Sequence, residues 1–112
     1  MSRLAEKKCI PCQGGVPPLS KEARQELLPQ LHEDWRVIDG HHLERDLHFP
    51  DFLTALDFIN RIGQISEEEG HHPDLLLRWG FVQIQVWTHK IDGLTESDFI
   101  LAAKADALYS KG

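Results

Sequence analysis

The chain has 112 residues, of which 41% are hydrophobic and 27% charged, and its formal net charge at pH 7 is −6. This length and composition predict one small globular domain, because two independent cores would not fit into so short a chain. Binding to a nucleic acid backbone depends on clustered lysine and arginine, so the acidic balance argues against direct DNA or RNA binding.

The start of the chain, residues 1–18, is predicted to be a flexible extension ahead of a folded domain over residues 19–112. It ends in Val-Pro-Pro and shows no apolar periodicity, which is typical of a disordered terminus. It contains Cys9 and Cys12, whose CxxC spacing is compatible with half a zinc site, a redox motif or two unconnected thiols. Because no second CxxC exists and the pair lies in a Pro/Gly-rich stretch, a non-catalytic tail is favoured.

Two further observations concern location. No apolar run approaches the roughly 20 residues that span a bilayer, and the N-terminus lacks the apolar core of a signal peptide. The sequence therefore predicts a protein that does not bind membranes and that resides in the cytoplasm.

The first predicted elements of the domain are a helix and a hairpin. The hydroxyl of Ser20 can cap a helix that runs to about Leu31. The segments 35–38 and 43–49 then flank the pair Asp39-Gly40. Because glycine tolerates a positive φ, Asp-Gly between short apolar segments predicts two antiparallel strands joined by a tight turn.

The longest predicted helix begins at Pro50 and Asp51. Proline lacks the N–H that a first helical turn leaves unpaired, and a carboxylate suits the positive end of the helix dipole. The helix ends at Gly70, which can adopt the left-handed closing conformation. The residues at helical spacing that predict its apolar face are Phe52, Leu56, Ile59 and Ile62.

A second hairpin is predicted after this helix, with strands over 75–79 and 81–89 separated by Gly80. The second strand alternates between a core face and a mixed face. The core face consists of Val82, Ile84, Val86 and Thr88, and the mixed face consists of Phe81, Gln83, Gln85, Trp87 and His89.

The last helix is predicted from Thr95 to about Tyr109, with Asp98 at the third position as in a capping box. The order helix, strand, strand, helix, strand, strand, helix predicts an α+β fold. Its expected form is a four-stranded antiparallel sheet with three helices packed on one face.

The candidate site combines residues from three predicted turns. His71 and His72 precede the third strand, His89 ends the fourth, and Asp98 begins the last helix. In a hairpin the start of one strand lies beside the end of the next, so His89 can approach the histidine pair. Histidine exchanges protons near neutrality, and a carboxylate of Glu67 or Asp98 could orient a ring.

Plainer interpretations stand beside this hypothesis. Asp98 could serve only as a helix cap, and His89 could be a solvent-facing residue at a strand end. His41 and His42 are interpreted as solvated residues of a hairpin turn without a partner. Three imidazoles and a carboxylate could hold zinc, but the helical HExxH spacing is absent and adjacent histidines diverge. No serine or cysteine lies in a recognisable nucleophile turn.

The joint spacing of these residues resembles the signature of the pterin-4a-carbinolamine dehydratases. The resemblance covers about residues 20–110 and departs at Leu75, where the family often has an aromatic residue. The positions that carry it are Glu67, His71, His72, Pro73, Trp79, Thr88, His89, Gly93, Leu94, Thr95 and Asp98.

The resemblance implies dehydration of a 4a-hydroxytetrahydropterin to the quinonoid dihydropterin, in pterin recycling, with no metal and no redox cofactor. It implies catalytic roles for His71, His72 and His89. The residues implied in substrate binding are Glu67, Asp98, Pro73 and Trp79. It also implies a homodimer or homotetramer formed partly by joining sheets. Some members of the family act as dimerisation cofactors of a transcription factor, so a regulatory protein partner is the alternative function.

Overall fold

The computed structural model describes residues 3–10 and 17–111 and has the predicted α+β fold. Four strands form one antiparallel sheet in the order β1-β2-β4-β3. The helices are Lys21–Leu27 (α1), Phe52–Glu69 (α2) and Glu96–Lys111 (α3), and the strands are Arg36–Ile38 (β1), His42–His48 (β2), Asp74–Arg78 (β3) and Phe81–Val86 (β4). Within the described ranges, no helix combines the length and the apolar character needed to cross a membrane.

The core lies between one face of the sheet and the helices α2 and α3. The predicted alternation of β4 is confirmed, because its core-face residues are buried and its other residues are only partly covered. Burying a side chain of this kind stabilises the fold by roughly 1.5–3 kcal/mol. The buried apolar side chains of the two central strands are Leu43, Leu47, Val82, Ile84 and Val86.

Helix α2 begins as predicted, and its buried face agrees only in part with the predicted one, since Ile62 is buried but the first turn is not. The Asp51 carboxylate caps it by accepting a hydrogen bond from the Thr54 backbone N–H at 2.8 Å. Phe52 and Leu53 are 42% and 73% exposed, so the apolar first turn does not belong to the core. Helical periodicity identifies residues that share a face, but not how far the opposing surface extends. The buried residues of α2 are Ala55, Phe58, Ile62 and Ser66.

The hairpin of β1 and β2 turns at the predicted pair. Asp39 and Gly40 both have a positive φ, of 53° and 64°, and the His41 N–H donates to the Ile38 carbonyl at 2.8 Å. This is the geometry of a type I′ turn, whose twist matches that of the flanking strands.

Strand β4 is shorter than predicted, which changes the setting of His89. The strand ends at Val86, and Thr88 forms an isolated bridge with Gly93. His89 begins a short 3₁₀ turn that ends at Asp92, which has a φ of 51°. His89 therefore lies in a turn that folds back on itself, and not on the strand face that carries Trp87.

The described part of the N-terminal segment packs against α3. Leu4 is 2% exposed and belongs to the core. The Ala5 carbonyl accepts a hydrogen bond from Lys104 Nζ at 2.8 Å, and Lys7 forms an ion pair with Glu96. A flexible extension does not describe residues 3–10, whereas the domain boundary at residue 18 stays a prediction.

Because Leu4 is buried, truncating it measures how much this segment contributes to the free energy of unfolding. We expect Leu4→Ala to lower the free energy of unfolding by about 2–4 kcal/mol, because the truncation removes apolar contacts and leaves a cavity. Chemical denaturation at one fixed protein concentration would measure the change.

Ile10→Ala is the matched control from the same segment. Ile10 is 69% exposed, so its truncation should change the stability by less than about 0.5 kcal/mol. If both variants stayed within that limit, the packing of residues 3–10 would contribute little, and the segment would be separable from the domain.

Candidate active site

The end of α2 fixes the position of the histidine pair. Gly70 adopts the left-handed conformation with a φ of 65°. Its N–H donates to the Glu67 carbonyl at 3.3 Å, and the N–H of His71 donates to the Ser66 carbonyl at 3.1 Å. These two bonds form a Schellman motif, which turns the chain sharply at the helix end. His71 and His72 therefore leave the helix in a defined direction.

Asp98 lies at the centre of the site and is completely buried. One carboxylate oxygen, Oδ2, accepts hydrogen bonds from Thr88 Oγ1 and from the Thr95 N–H, each at 2.8 Å. The other oxygen, Oδ1, lies 2.5 Å from Nε2 of His71. The Thr95 contact is the predicted half of a capping box. Asp98 is thus a helix cap and a partner of His71 at the same time.

The contact with Asp98 determines which nitrogen of His71 carries a proton. A carboxylate accepts hydrogen bonds, so Nε2 must donate. In the neutral ring Nδ1 then has a free lone pair and can accept a proton. The ring of His71 is 11% exposed, so it reaches the surface with one edge while its other edge is held by a buried charge.

His72 forms the second histidine–carboxylate pair. Its Nε2 contacts Oε2 of Glu67, one turn back on α2. The two side chains are 57% and 79% exposed, so solvent screens their attraction and the pair contributes little to stability. His72 is therefore less enclosed than His71 and remains open to a ligand.

A pocket of about 230 Å³ joins the histidines. His89 lies at its edge, exposed to solvent, and its ring centre is 4.6 Å from that of Trp87. The prediction that His71, His72 and His89 converge agrees with this geometry. The residues that line the pocket are Gly70, His71, His72, Trp87, Thr88, His89 and Lys90.

Pro73 and Trp79, both implied in substrate binding, differ in their positions relative to the pocket. Pro73 directly follows the histidine pair and leads into β3. Trp79 is 71% exposed and lies in the turn between β3 and β4. That turn is at the opposite end of the hairpin from His89, so within one chain Trp79 does not join the pocket.

The interpretation of His41 and His42 as solvated residues without a partner is wrong. Nε2 of His41 lies 2.7 Å from Oδ1 of Asp92, and the two histidine rings contact each other. Both rings also pack near Trp87, with ring centres 5.1 and 5.7 Å away. The prediction failed because Trp87 and Asp92 are about 50 residues away in sequence, and no local pattern indicates such a contact.

Of the CxxC motif, only Cys9 is within the described residues. The Cys9 N–H donates to Glu69 Oε1 at 2.7 Å, and its thiol lies 3.5 Å from the Ser97 carbonyl. Burial, followed by the negative charge of Glu69, raises the pKa of the Cys9 thiol to about 12. A thiol that stays protonated near neutrality is a poor nucleophile, so this environment does not favour redox chemistry at Cys9. Cys12 lies outside the described residues.

The donors needed for a metal centre do not converge in the described part of the chain. No three side chains of histidine, cysteine, aspartate or glutamate are placed there to hold one ion. His71 and His72 direct Nε2 toward two different carboxylates, in agreement with the expected divergence of adjacent histidines.

Several residues that line the pocket have no predicted role in the site, and Thr88 and Trp87 are the most informative of them. From the sequence, Thr88 has a core-face position and a place in the family resemblance, but no role in the site. A buried hydroxyl needs a hydrogen-bond partner, and this need is the signal that could have assigned it. Trp87 was placed on the mixed face, where an aromatic residue could equally have served a subunit contact. Thr88 belongs to the site because it donates a hydrogen bond to Asp98, and Trp87 because its ring lies beside that of His89.

The fold agrees with the comparisons with known proteins. Residues 17–108 match the family model described as pterin 4 alpha carbinolamine dehydratase. The chain belongs to this family.

Two bacterial relatives are similar along nearly the whole chain, and both are named "Putative pterin-4-alpha-carbinolamine dehydratase". The protein of Alkaliphilus metalliredigens is 58% identical over 111 residues, which cover 99% of this chain and 100% of the relative. The protein of Rubrobacter xylanophilus is 57% identical over 108 residues, which cover 96% and 100%. The similarity to the first relative therefore includes most of the N-terminal segment.

Two solved structures share the fold. One is a transcriptional coactivator/pterin dehydratase from Brucella melitensis, with a TM-score of 0.77, 30% identity, and coverage of 82% of this chain and 98% of that one. The other is a pterin dehydratase-like protein identified as a RuBisCO assembly factor in the alpha-carboxysome. It has a TM-score of 0.60, 25% identity, and coverage of 70% and 92%.

The two oxygens of Asp98 allow a test of the tautomer of His71. In Asp98→Asn, the amide oxygen should keep the hydrogen bonds from Thr88 and from the Thr95 N–H, because an amide NH₂ group cannot accept a hydrogen bond from that backbone donor. The NH₂ group would then face His71, and Nε2 of the ring would have to accept. We expect the neutral ring to change from the Nε2–H to the Nδ1–H form, as measured by ¹⁵N chemical shifts.

His72 is the internal control, because its partner Glu67 is unchanged. Its ¹⁵N shifts should match those of the wild type. A His71 ring that kept Nε2–H in Asp98→Asn would show that Asp98 does not determine the tautomer.

Proposed function

We propose that the protein dehydrates 4a-hydroxytetrahydropterin to quinonoid dihydropterin by histidine acid–base catalysis, as a step of tetrahydrobiopterin or pterin recycling. The observation that carries this proposal is the pocket in which His71, held by buried Asp98, faces the same space as His72 and His89. Membership in the dehydratase family supports the type of reaction. The proposed substrate is a small pterin, and the proposed location is the cytoplasm.

The reaction needs two proton transfers, one to an oxygen and one from a ring nitrogen, and both atoms are bonded to C4a. The C4a–O bond breaks, the hydroxyl group takes up a proton and leaves as water, and the lone pair of the adjacent ring nitrogen forms a C=N bond. That nitrogen then gives up its proton, so the overall change is the loss of one water molecule. No electrons are gained or lost, and side chains that donate and accept protons are sufficient for this chemistry.

His71 is suited to exchange a proton in this pocket. With Nε2–H bound to Asp98, its Nδ1 can accept a proton, and the imidazolium ion formed stays paired with a negative charge. Asp98 cannot turn away, because Thr88 and Thr95 hold its other oxygen. The pair therefore resembles the histidine–carboxylate pair of other acid–base enzymes, in which a buried carboxylate fixes the tautomer and the orientation of the imidazole ring.

The other pocket residues complete the proposed roles. His89 and His71 handle protons around the 4a oxygen, and His72 assists in binding or as a base. Glu67 orients His72 through their direct contact, while Asp98 orients His71 from inside the protein. Pro73 directly follows the histidine pair in the chain and so lies next to the pocket. Trp79 could contact the pterin of one subunit only from another copy of the chain, because it lies at the far end of its own hairpin.

Removing a proton-transfer group should lower the rate and leave the fold intact. We expect His71→Ala and His89→Ala each to lower the dehydratase turnover by about 100-fold, the usual scale for a general acid or base. The substrate can be generated by a hydroxylase or chemically, and its loss followed by absorbance. The spontaneous dehydration rate must be subtracted from every measurement.

His48→Ala is the matched control. His48 is exposed at the end of β2 paired with Phe81, far from the pocket, and it should retain near-normal turnover. His42 is unsuitable for this purpose because it contacts Trp87. If folded His71→Ala and His89→Ala matched His48→Ala, the proposed proton transfers would be wrong.

We also propose that the protein is a homodimer or homotetramer. Strand β3 lies at an edge of the sheet, and such an edge offers unpaired backbone groups to another strand. Leu76 within this strand and Trp79 just after it are 49% and 71% exposed. The partly covered outer-face residues Gln83 and Gln85 of the adjacent strand extend this surface.

A single charged substitution can test the proposed assembly. We expect light scattering of the wild type to give a mass of at least twice the 12.8 kDa of the chain, and Leu76→Lys to shift it toward the monomer by placing a charge at the edge. Glu26→Lys, on the exposed surface of α1, should leave the mass unchanged. A wild-type mass near 12.8 kDa at all concentrations would contradict the proposal.

A regulatory scaffold is the second candidate function. The exposed apolar side chains of Phe52 and Leu53 give α2 a surface that suits a protein partner. The names of the two solved relatives, a transcriptional coactivator and an assembly factor, favour the same class of role. The two candidates are separated by the dehydratase assay, because a scaffold without catalysis would not depend on His71 or His89.

A further inference from the structure

His41 ties the turn of the first hairpin to the turn that carries His89. Its Nε2 lies 2.7 Å from Oδ1 of Asp92, and Asp92 closes the 3₁₀ turn that begins at His89. Asp92 has a φ of 51°, a conformation that favours glycine and needs support from its surroundings when another residue adopts it. The contact with His41 joins this turn to a distant part of the chain. Because the Asp92 side chain is 84% exposed, the contact affects the position of the turn more than the stability of the fold.

A second path leads from His41 to His89 through Trp87. The centre of the Trp87 ring system is 5.1 Å from that of His41 and 4.6 Å from that of His89. Trp87 also lines the pocket that contains the proposed catalytic histidines. His41 therefore packs against a wall of the pocket without itself lining it.

The hydrogen bonds of His41 continue into His42. The two Nδ1 atoms lie 3.1 Å apart, so one of them must donate and the other accept. A neutral His41 that donates from Nε2 to Asp92 has its lone pair on Nδ1, and His42 then donates from Nδ1. The chain of bonds runs from His42 through His41 to Asp92. His42 is itself largely covered, with 17% of its side chain exposed, so solvent has little access to this end of the chain of bonds.

We propose that His41 is a positioning residue for the dehydration reaction. Through Asp92 it fixes the turn that presents His89, and through Trp87 it fixes the ring against which His89 lies. The inference rests on the proposed dehydratase function. Misplacement of a reacting group by a fraction of an ångström lowers turnover more than it weakens substrate binding, so the effect should appear mainly in kcat.

The test compares His41→Ala with His41→Gln. We expect His41→Ala to lower kcat about 10-fold with less than a twofold change in KM. The Nε2–H group of a glutamine can replace that of the histidine toward Asp92, so His41→Gln should recover most of the rate. His48→Ala again serves as the control for loss of a histidine outside the site.

An NMR measurement makes the test independent of turnover. The neighbouring indole of Trp87 shifts the ring proton signals of His89. We expect these signals to move toward the values of a solvent-exposed histidine in His41→Ala and to stay near the wild-type values in His41→Gln. Asp92→Gly removes the same contact from its other side while tolerating the positive φ, and it should reproduce both effects if His41→Ala does not fold.

The possible failures are distinguishable. An inactive wild type would contradict the proposed function, and the His89 signals alone would then decide whether His41 positions that ring. An active wild type, together with unchanged kcat and unchanged His89 signals in His41→Ala and Asp92→Gly, would overturn the positioning role. A rate loss that His41→Gln did not recover would show that the hydrogen bond to Asp92 is not its basis.

Discussion

The hydrogen bonding of one buried carboxylate connects the parts of this structure that carry its candidate chemistry. Asp98 is fully buried, and a buried charge is stable only when its oxygens are paired. Thr88, Thr95 and His71 provide the partners, and they come from the end of β4, the start of α3 and the exit of α2. Satisfying this charge therefore brings three turns together, and the same turns carry the proposed catalytic histidines.

A second carboxylate has the corresponding role near the other end of α3. Asp106 accepts hydrogen bonds from Trp35 Nε1 at 2.7 Å and from the guanidinium of buried Arg45. Buried ion pairs of this kind add little net stability, since desolvation offsets their attraction, but removing one partner is costly. Asp98 near the start of α3 and Asp106 near its end hold the helix in a fixed position against the sheet. The geometry of the site depends on this position.

The candidate site is built on turns, while the sheet and helices position them. The Schellman motif of α2 presents His71 and His72, and the 3₁₀ turn presents His89. Catalytic residues often lie in loops that a rigid scaffold supports. The three histidines of the pocket are held in place by different kinds of contact. His71 is held by a buried charge, His72 pairs with an exposed one, and His89 depends on packing with Trp87 and on the turn that Asp92 closes.

The sequence by itself determined the order of the elements, the core face of β4 and the positions of the main turns, because periodicity, caps and Asp-Gly pairs act locally. It also singled out His71, His72, His89 and Asp98. Only the tertiary structure decided that His41 contacts Asp92, that Trp79 lies away from the pocket and that Leu4 is buried. Those facts depend on contacts between residues far apart in sequence and on where a packed surface ends, which local patterns do not encode.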